Sequence, residues 1–170
     1  MNEQEFADFY AQIYKLSCIT RYSGVPRIKD ESVAEHSFFV ASLVVELHKK
    51  YDFDLGKALL IAITHDWAES YIGDITWSVK KQFEQIKSAA HQAEHHIMKY
   101  TFRDVYPSWL EYQELSTVEA KIVALADVIQ VAQYAENEVK LGNTGHMIDV
   151  ANSAYIRLEK LSEAVDEFKR

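Results

Sequence analysis

Apolar residues recur at three- and four-residue spacing along most of the chain, the period of an α-helix with one buried face. Phe6, Phe9, Tyr10, Ile13 and Leu16 make the first stripe, over residues 3–19, with Asn2 and Glu5 placed as a capping pair. The segment TRYSGVPRIKDES, residues 20–32, reads as a loop. A second stripe runs through Val33, His36, Phe39, Val40, Leu43, Val44 and Leu47, and residues 55–70 make a third helix. Phe83, Ile86, Ala90, Ala93 and Ile97 predict a fourth over 80–100, and VYPSW around Pro107 interrupts the pattern. Ser116 and Glu119 read as a capping box heading a long helix that Gly142–Asn143 ends. Met147, Val150, Ala151, Ala154, Leu158, Leu161, Val165 and Phe168 mark the last helix. No segment alternates with period two for long enough to predict a sheet. The expectation is an all-α, single-domain bundle of about six main helices, with any site built from helix faces.

Three of these stripes contain ionisable groups. His36 lies on the second, Asp66 shares a stripe with Leu59, Ala62 and Ile63, and Asp127 shares one with Val123, Ala124, Val131 and Tyr134. A carboxylate buried without a partner costs several kcal/mol and tends to take up a proton instead. Taken singly, a histidine on an apolar face is more often a hydrogen-bonded core residue than a ligand, and a buried aspartate is usually a cap or half of an ion pair. Three such groups on three helices, with His65 beside Asp66, call for a shared partner. A divalent cation satisfies all four. Two imidazoles and two carboxylates suit Mn²⁺, Co²⁺, Fe²⁺, Ni²⁺ or Zn²⁺, and suit Mg²⁺ less well. Four protein ligands on an octahedral ion leave two positions for water and substrate, which favours catalysis over a structural role.

Composition narrows the partners. The 170 residues are 48% hydrophobic and 26% charged, with a formal net charge of −8. That charge argues against a nucleic-acid polymer or a membrane surface as partner. Cys18 is the only cysteine, so neither a disulfide framework nor a cysteine zinc site is expected, and a reducing, cytoplasmic setting follows. MNEQEFADFY has no basic start and no apolar run, so it does not read as a signal peptide. No apolar run approaches the length of a membrane span.

The stretches AEHS (34–37), HDWAE (65–69), GDI (73–75) and ALADVI (124–129) resemble the HD-domain phosphohydrolase superfamily. Within it, ITRYSGVPRIKDESVAEHS and HDWAESYIGDITWSVK are similar to the bacterial 5′-deoxynucleotidases, over roughly residues 10–142. The resemblance implies that His36, His65, Asp66 and Asp127 bind the metal, and that Glu69 and Asp74 form the acid/base pair at the phosphoester. It also implies that Arg21 meets the phosphate or sugar, Tyr22 the nucleoside and Lys80 the phosphate. The residues allow these roles. Glu69 follows His65 by four and Asp66 by three, so a continuous helix turns it toward the same face, where it can deprotonate a water activated by the metal. Asp74, after Gly73, can reach a leaving oxygen or simply cap the next helix. Arg21 and Lys80 can offset phosphate charge, with Arg27 and Lys29 as weaker candidates; solvated surface charge is the plain alternative for each.

Two departures bear on the substrate. The nucleotidases usually carry Trp where this chain has Tyr22, and a stretch like LPTPVK where it has ITWSVK. Trp77 can stack on a base or narrow the pocket. Small phage dATP triphosphohydrolases, which release triphosphate, are also similar. The expected activity is removal of phosphate from deoxynucleoside 5′-phosphates by water held on the metal. The rivals are a dATP-preferring dNTP triphosphohydrolase, a hydrolase of signalling nucleotides, and a non-catalytic nucleotide sensor, for which an acid/base pair has no use. The resemblance further implies a homo-oligomer, with contacts from the aromatic first helix and the apolar last one. His48 reads as a surface or helix-end residue, His146 as a first-turn residue, and His91, His95 and His96 as members of a solvated helix face.

Overall fold

A computed structural model describes residues 2–170, which form nine α-helices and two short 3₁₀ turns. In chain order the helices are α1 (Glu3–Tyr14), α2 (Val33–Leu47), α3 (Leu55–Thr64), α4 (Glu69–Ile72), α5 (Trp77–Gln82), α6 (Glu84–Tyr100), α7 (Tyr106–Glu114), α8 (Val118–Lys140) and α9 (His146–Val165). Six of them are ten residues or longer, matching the six stripes. No strand forms among the described residues; two isolated backbone bridges, Thr20 with Ser32 and Tyr51 with Lys169, close loops. Among the described residues no helix is long and apolar enough to cross a membrane.

The long helix α8 is the centre. It packs against α9, α2, α3 and α7, and it is buried on most sides because its small and branched residues allow close approach. Ala120, Ile122, Val123, Leu125 and Ala126 meet Val40 and Val44 of α2 and Ile61 and Ala62 of α3 in one core. Each Val or Ile fully buried there contributes roughly 1.5–3 kcal/mol. Against that core α2 holds His36 and α8 holds Asp127.

Several boundaries differ from the periodic reading. Helix 55–70 is interrupted after Thr64. There the hydrogen bonds shorten to three-residue steps, Trp67 N to Thr64 O and Glu69 N to Asp66 O, before α4 resumes. The tightened turn falls on His65 and Asp66, and such irregularity inside a helix commonly marks a functional site. Gly73, at φ 75°, ends α4 with a backbone conformation open to glycine and strained for other residues. Phe83 is extended (φ −124°, ψ 95°) and splits the expected 80–100 helix into α5 and α6. Pro107 starts α7, in whose first turn its missing N–H costs nothing. The N-cap of α8 is Thr117, whose side chain accepts from Ala120 N, and not Ser116. The Asn2–Glu5 capping box is present. However, α1 ends at Tyr14 and buries none of its residues, with Phe6 61% and Tyr10 60% exposed. Phe9 meets Trp67 edge-on, Ile13 packs on the cluster around Trp109, and Gln12 donates to Ser70, so α1 lies on the body instead of within it.

The loop between α1 and α2 is pinned at both ends. Arg21 N donates to Glu31 O and Val33 N to Ile19 O, each about one residue from the bridge that closes it. Its middle is fastened to α8 by Glu138, a fully buried carboxylate that accepts from Ile28 N (2.7 Å), Lys29 N (2.8 Å) and Asn143 Nδ2 (3.0 Å). Tyr134 adds a hydroxyl donated to Lys29 O. This loop carries Arg21 and Tyr22 to the site.

Candidate active site

His36 and His65 are buried, and each is oriented through Nδ1. Gln130 Oε1 lies 2.8 Å from His36 Nδ1, and the carbonyl of Ala62 lies 2.9 Å from His65 Nδ1. Both partners are acceptors, so Nδ1 carries the proton in the neutral ring and Nε2 presents a lone pair. Both Nε2 atoms face carboxylates. His36 Nε2 is 3.3 Å from Asp127 Oδ1 and 3.7 Å from Asp66 Oδ2, and His65 Nε2 is 3.1 Å from Asp66 Oδ2. His65 Nε2 is buried without a hydrogen bond of proper geometry despite that short approach.

This arrangement fits a cation. His36, His65 and Asp127 each offer a ligand atom within 4.8 Å of the others, and Asp66 stands beside both imidazoles. Ligands about 2.0–2.2 Å from a tetrahedral or octahedral ion lie about 2.8–3.6 Å from one another; the 3.1 and 3.3 Å separations fall in that range and the 3.7 Å one just beyond it. Without an ion, lone pairs oppose carboxylates unless an imidazole takes a proton. Burial lowers the pKa of His65, but Asp66 and Asp127 outweigh it and the net shift is upward. Burial raises Asp66 and Asp127, and the imidazoles outweigh it, holding Asp66 low and Asp127 at about 2. Asp127 and His36 also have outer support. Tyr112 donates its hydroxyl to Asp127 Oδ2 (3.3 Å), and Gln130 links His36 to Glu31 (2.5 Å) and to Arg21 Nη1 (3.2 Å).

The ligand atoms open into a cavity of about 300 Å³. Glu69, Asp74, Arg21, Tyr22, Trp77 and Lys80 all line it, so the structure brings together every residue expected at the site. Glu69 is pushed well up by burial and by the Asp66 and Asp74 carboxylates, against Arg21 and Lys80. Asp74 does not cap α5. Its Oδ2 accepts from Tyr22 N (2.9 Å), which holds Tyr22 in the left-handed region at φ 57°. Tyr22 stacks flat on Tyr134 (5.1 Å between centroids), and Arg21 lies 5.4 Å from its ring. Arg21 itself is mostly buried and paired with Glu31 at 3.3 Å. Lys80 is paired with Glu94 at 3.2 Å. Trp77 is half exposed, with the Lys81 ammonium 4.7 Å over its ring. Arg27 instead holds Asp30 and the carbonyls of Tyr22 and Val25. Of the remaining histidines, His95 meets the Tyr106 hydroxyl at 2.8 Å, so it is not purely solvated, and His146 lines the cavity.

The model of the YfbR-like 5′-deoxynucleotidase family matches residues 8–170. The chain belongs to this family. A 5′-deoxynucleotidase of Vibrio vulnificus is 27% identical over 148 residues, covering 79% of this chain and 76% of the relative. The PH0347 protein of Pyrococcus horikoshii shares the structure at a TM-score of 0.81 and 28% identity, over 95% of this chain and 94% of that one. The cyanophage S-2L HD phosphohydrolase DatZ, solved with dA and one catalytic Zn²⁺, shares the fold at a TM-score of 0.65 and 18% identity, over 88% and 82%.

Sequence reasoning missed one wall of the cavity. His146, Asp149, Val150, Ser153, Ala154 and Arg157 of α9 line it. They follow the helical period beside the buried stripe, a signal that an ordinary amphipathic helix also gives. It also missed Gln130, Glu31 and Tyr112. Gln130 stands three residues after Asp127 on the same helix face, which was the available clue.

Proposed function

We propose that residues 1–170 act as one HD-domain unit, a metal-dependent 5′-deoxynucleotidase that hydrolyses deoxynucleoside 5′-monophosphates. The observation that carries this reading is the pair of Nδ1-anchored histidines whose Nε2 lone pairs face Asp66 and Asp127 at the floor of a cavity holding Glu69. His36, His65, Asp66 and Asp127 would hold the ion, and their mixed donor set suits Mn²⁺, Co²⁺, Fe²⁺, Ni²⁺ or Zn²⁺. The ion, when bound, acidifies water and offsets charge on a phosphoryl oxygen.

The chain's own groups supply the rest. Glu69 takes a proton from the water that attacks phosphorus as the bond from phosphorus to the 5′ oxygen breaks. Asp74, with Oδ2 committed to Tyr22, has Oδ1 left to protonate the departing 5′ oxygen. Arg21 and Lys80 offset phosphate charge, while Tyr22 and Trp77 flank the nucleoside. The cavity lining favours the smaller phosphate group. Arg21, Lys80 and Arg157 are its cations among the described residues, few for the several charges of a triphosphate.

The test is product analysis with Co²⁺- or Mn²⁺-loaded protein on dAMP, dCMP, dGMP, dTMP, the matching dNTPs and AMP. Orthophosphate from the deoxy-monophosphates bears the reading out. Triphosphate from dATP alone replaces it with the triphosphohydrolase. Exposed aromatics on α1 and α2, among them Phe6, Tyr10, Phe38 and Phe39, support a homo-oligomer, to be checked by sedimentation. The exposed free Cys18 thiol fits a reducing cytosolic setting.

A further inference from the structure

The three cations of the cavity differ in how they are committed. Arg21 is paired with Glu31 and Gln130, and Lys80 with Glu94. Arg157 has one weak partner among the described residues, Asp127 Oδ2 at 4.0 Å, and its side chain is 45% exposed. That partner is also a ligand in the proposed metal site. An ion drawing on the Asp127 carboxylate weakens its hold on Arg157, which has no other ion pair within 4.0 Å among the described residues. A guanidinium beside the reaction centre then has five donors and no acceptor, the condition in which arginine binds phosphate, often through two parallel bonds.

Its position on α9 supports the same assignment. Arg157 shares the wall with His146, Asp149, Val150, Ser153 and Ala154, and its guanidinium approaches the metal-ligand candidate Asp127 to 4.0 Å. Asp149 lies two turns nearer the N-terminus, about 12 Å along the axis. The wall therefore runs from a cation near the metal ligands to a carboxylate, which orders a nucleotide with its phosphate inward and its nucleoside along α9. We infer that Arg157 is a phosphate-binding residue of this site, a contact that α9 contributes in addition to those of Arg21 and Lys80. The inference rests on the nucleotidase reading.

The experiment compares binding of deoxyadenosine with binding of the methylene phosphonate analogue of dAMP, whose carbon–phosphorus bond is not hydrolysed. Calorimetry on Co²⁺-loaded wild type, Arg157→Gln and Arg157→Lys gives the phosphonate increment in affinity for each. The expected result is a loss of about tenfold or more in that increment for Arg157→Gln, with partial recovery in Arg157→Lys. Deoxyadenosine and Co²⁺ affinities stay at the wild-type level. An unchanged increment in Arg157→Gln overturns the assignment and leaves the nucleotidase reading standing. Equal losses for both ligands also overturn it, by showing a structural role. A wild type that binds the phosphonate no better than the nucleoside overturns the reading of the site and this inference together.

Discussion

At the residue scale, Glu69 carries a conflict between stability and activity. Burial and the neighbouring Asp66 and Asp74 carboxylates hold its proton on well above the ordinary glutamate range in the metal-free protein. Between the unfolded value, about 4.3, and the raised folded value, the native state binds more protons than the unfolded one. Stability therefore falls as pH rises through that window. Glu69→Gln removes the cost. The metal-free variant should melt above wild type at pH 7 and level with it at pH 4 in paired calorimetric scans, while the metal-loaded variant loses roughly 10²–10⁴ in turnover. A variant as active as wild type would remove Glu69 from the mechanism. Gln130 presents the contrasting case, a residue outside the cavity that acts through its neighbours. Its amide accepts from His36 Nδ1 and Arg21 and donates to Glu31, so Gln130→Leu frees the His36 ring to turn. Loss of such outer support typically weakens metal binding about 10–100-fold, measurable by chelator competition, and an unchanged affinity would show that burial alone fixes His36.

At the element scale, the loop from Thr20 to Ser32 depends on Glu138. That carboxylate lies outside the site cavity; its work is to receive two backbone N–H groups and an amide. Burial raises its pKa, and those three donors with Arg27 outweigh it, so the net shift is downward. The contribution is present above the unfolded value of about 4.3 and is lost as pH falls through the lower folded value. Glu138→Ala strands buried donors and should cost about 2–4 kcal/mol at pH 7. Urea melts would show the gap between variant and wild type closing in acid, and substrate KM rising as Arg21 and Tyr22 loosen. The same elements show why the sequence was only partly legible. His36, Asp66 and Asp127 stood out because a polar group on an apolar stripe contradicts the packing around it. Glu138 and Gln130 did not, since each is one polar residue on a long helix and its value lies in distant partners. The break at Phe83 carries no Gly or Pro, so periodicity ran straight across it. The aromatic face of α1 was periodic enough to predict a helix, but periodicity does not say what covers the face, and here only part of it packs, Phe9 on Trp67 and Ile13 on the cluster around Trp109, while Phe6 and Tyr10 stay exposed.

At the scale of the whole molecule, the proposed metal ligands come from α2, the turn after α3, and α8. An ion bound there ties together the helices that make the main core, so occupancy and global stability are one equilibrium. Binding at a free concentration a hundred times Kd adds about 2.7 kcal/mol. For a domain of this size each kcal/mol moves Tm by about 2–4 °C, so Co²⁺ or Mn²⁺ should raise Tm by about 5–10 °C and a chelator should reverse it. The pH dependence identifies the source. In the metal-free protein burial lowers the His65 pKa but the Asp66 and Asp127 carboxylates carry it above the ordinary value, about 6.5. Protonated His65 therefore stabilises the fold below that value, and the contribution disappears as pH rises through the folded pKa. The ion competes for the same Nε2 and binds with release of a proton. Its stabilisation should thus grow over the pH range in which the metal-free protein weakens, and the two melting curves should diverge upward from about pH 6.5. Asp127→Ala should abolish the metal-dependent increment, and Arg157→Gln should leave it intact because the guanidinium is not a ligand. A metal increment that is flat from pH 5 to 8 would mean that the ion binds through carboxylates alone, and would take both histidines out of the site.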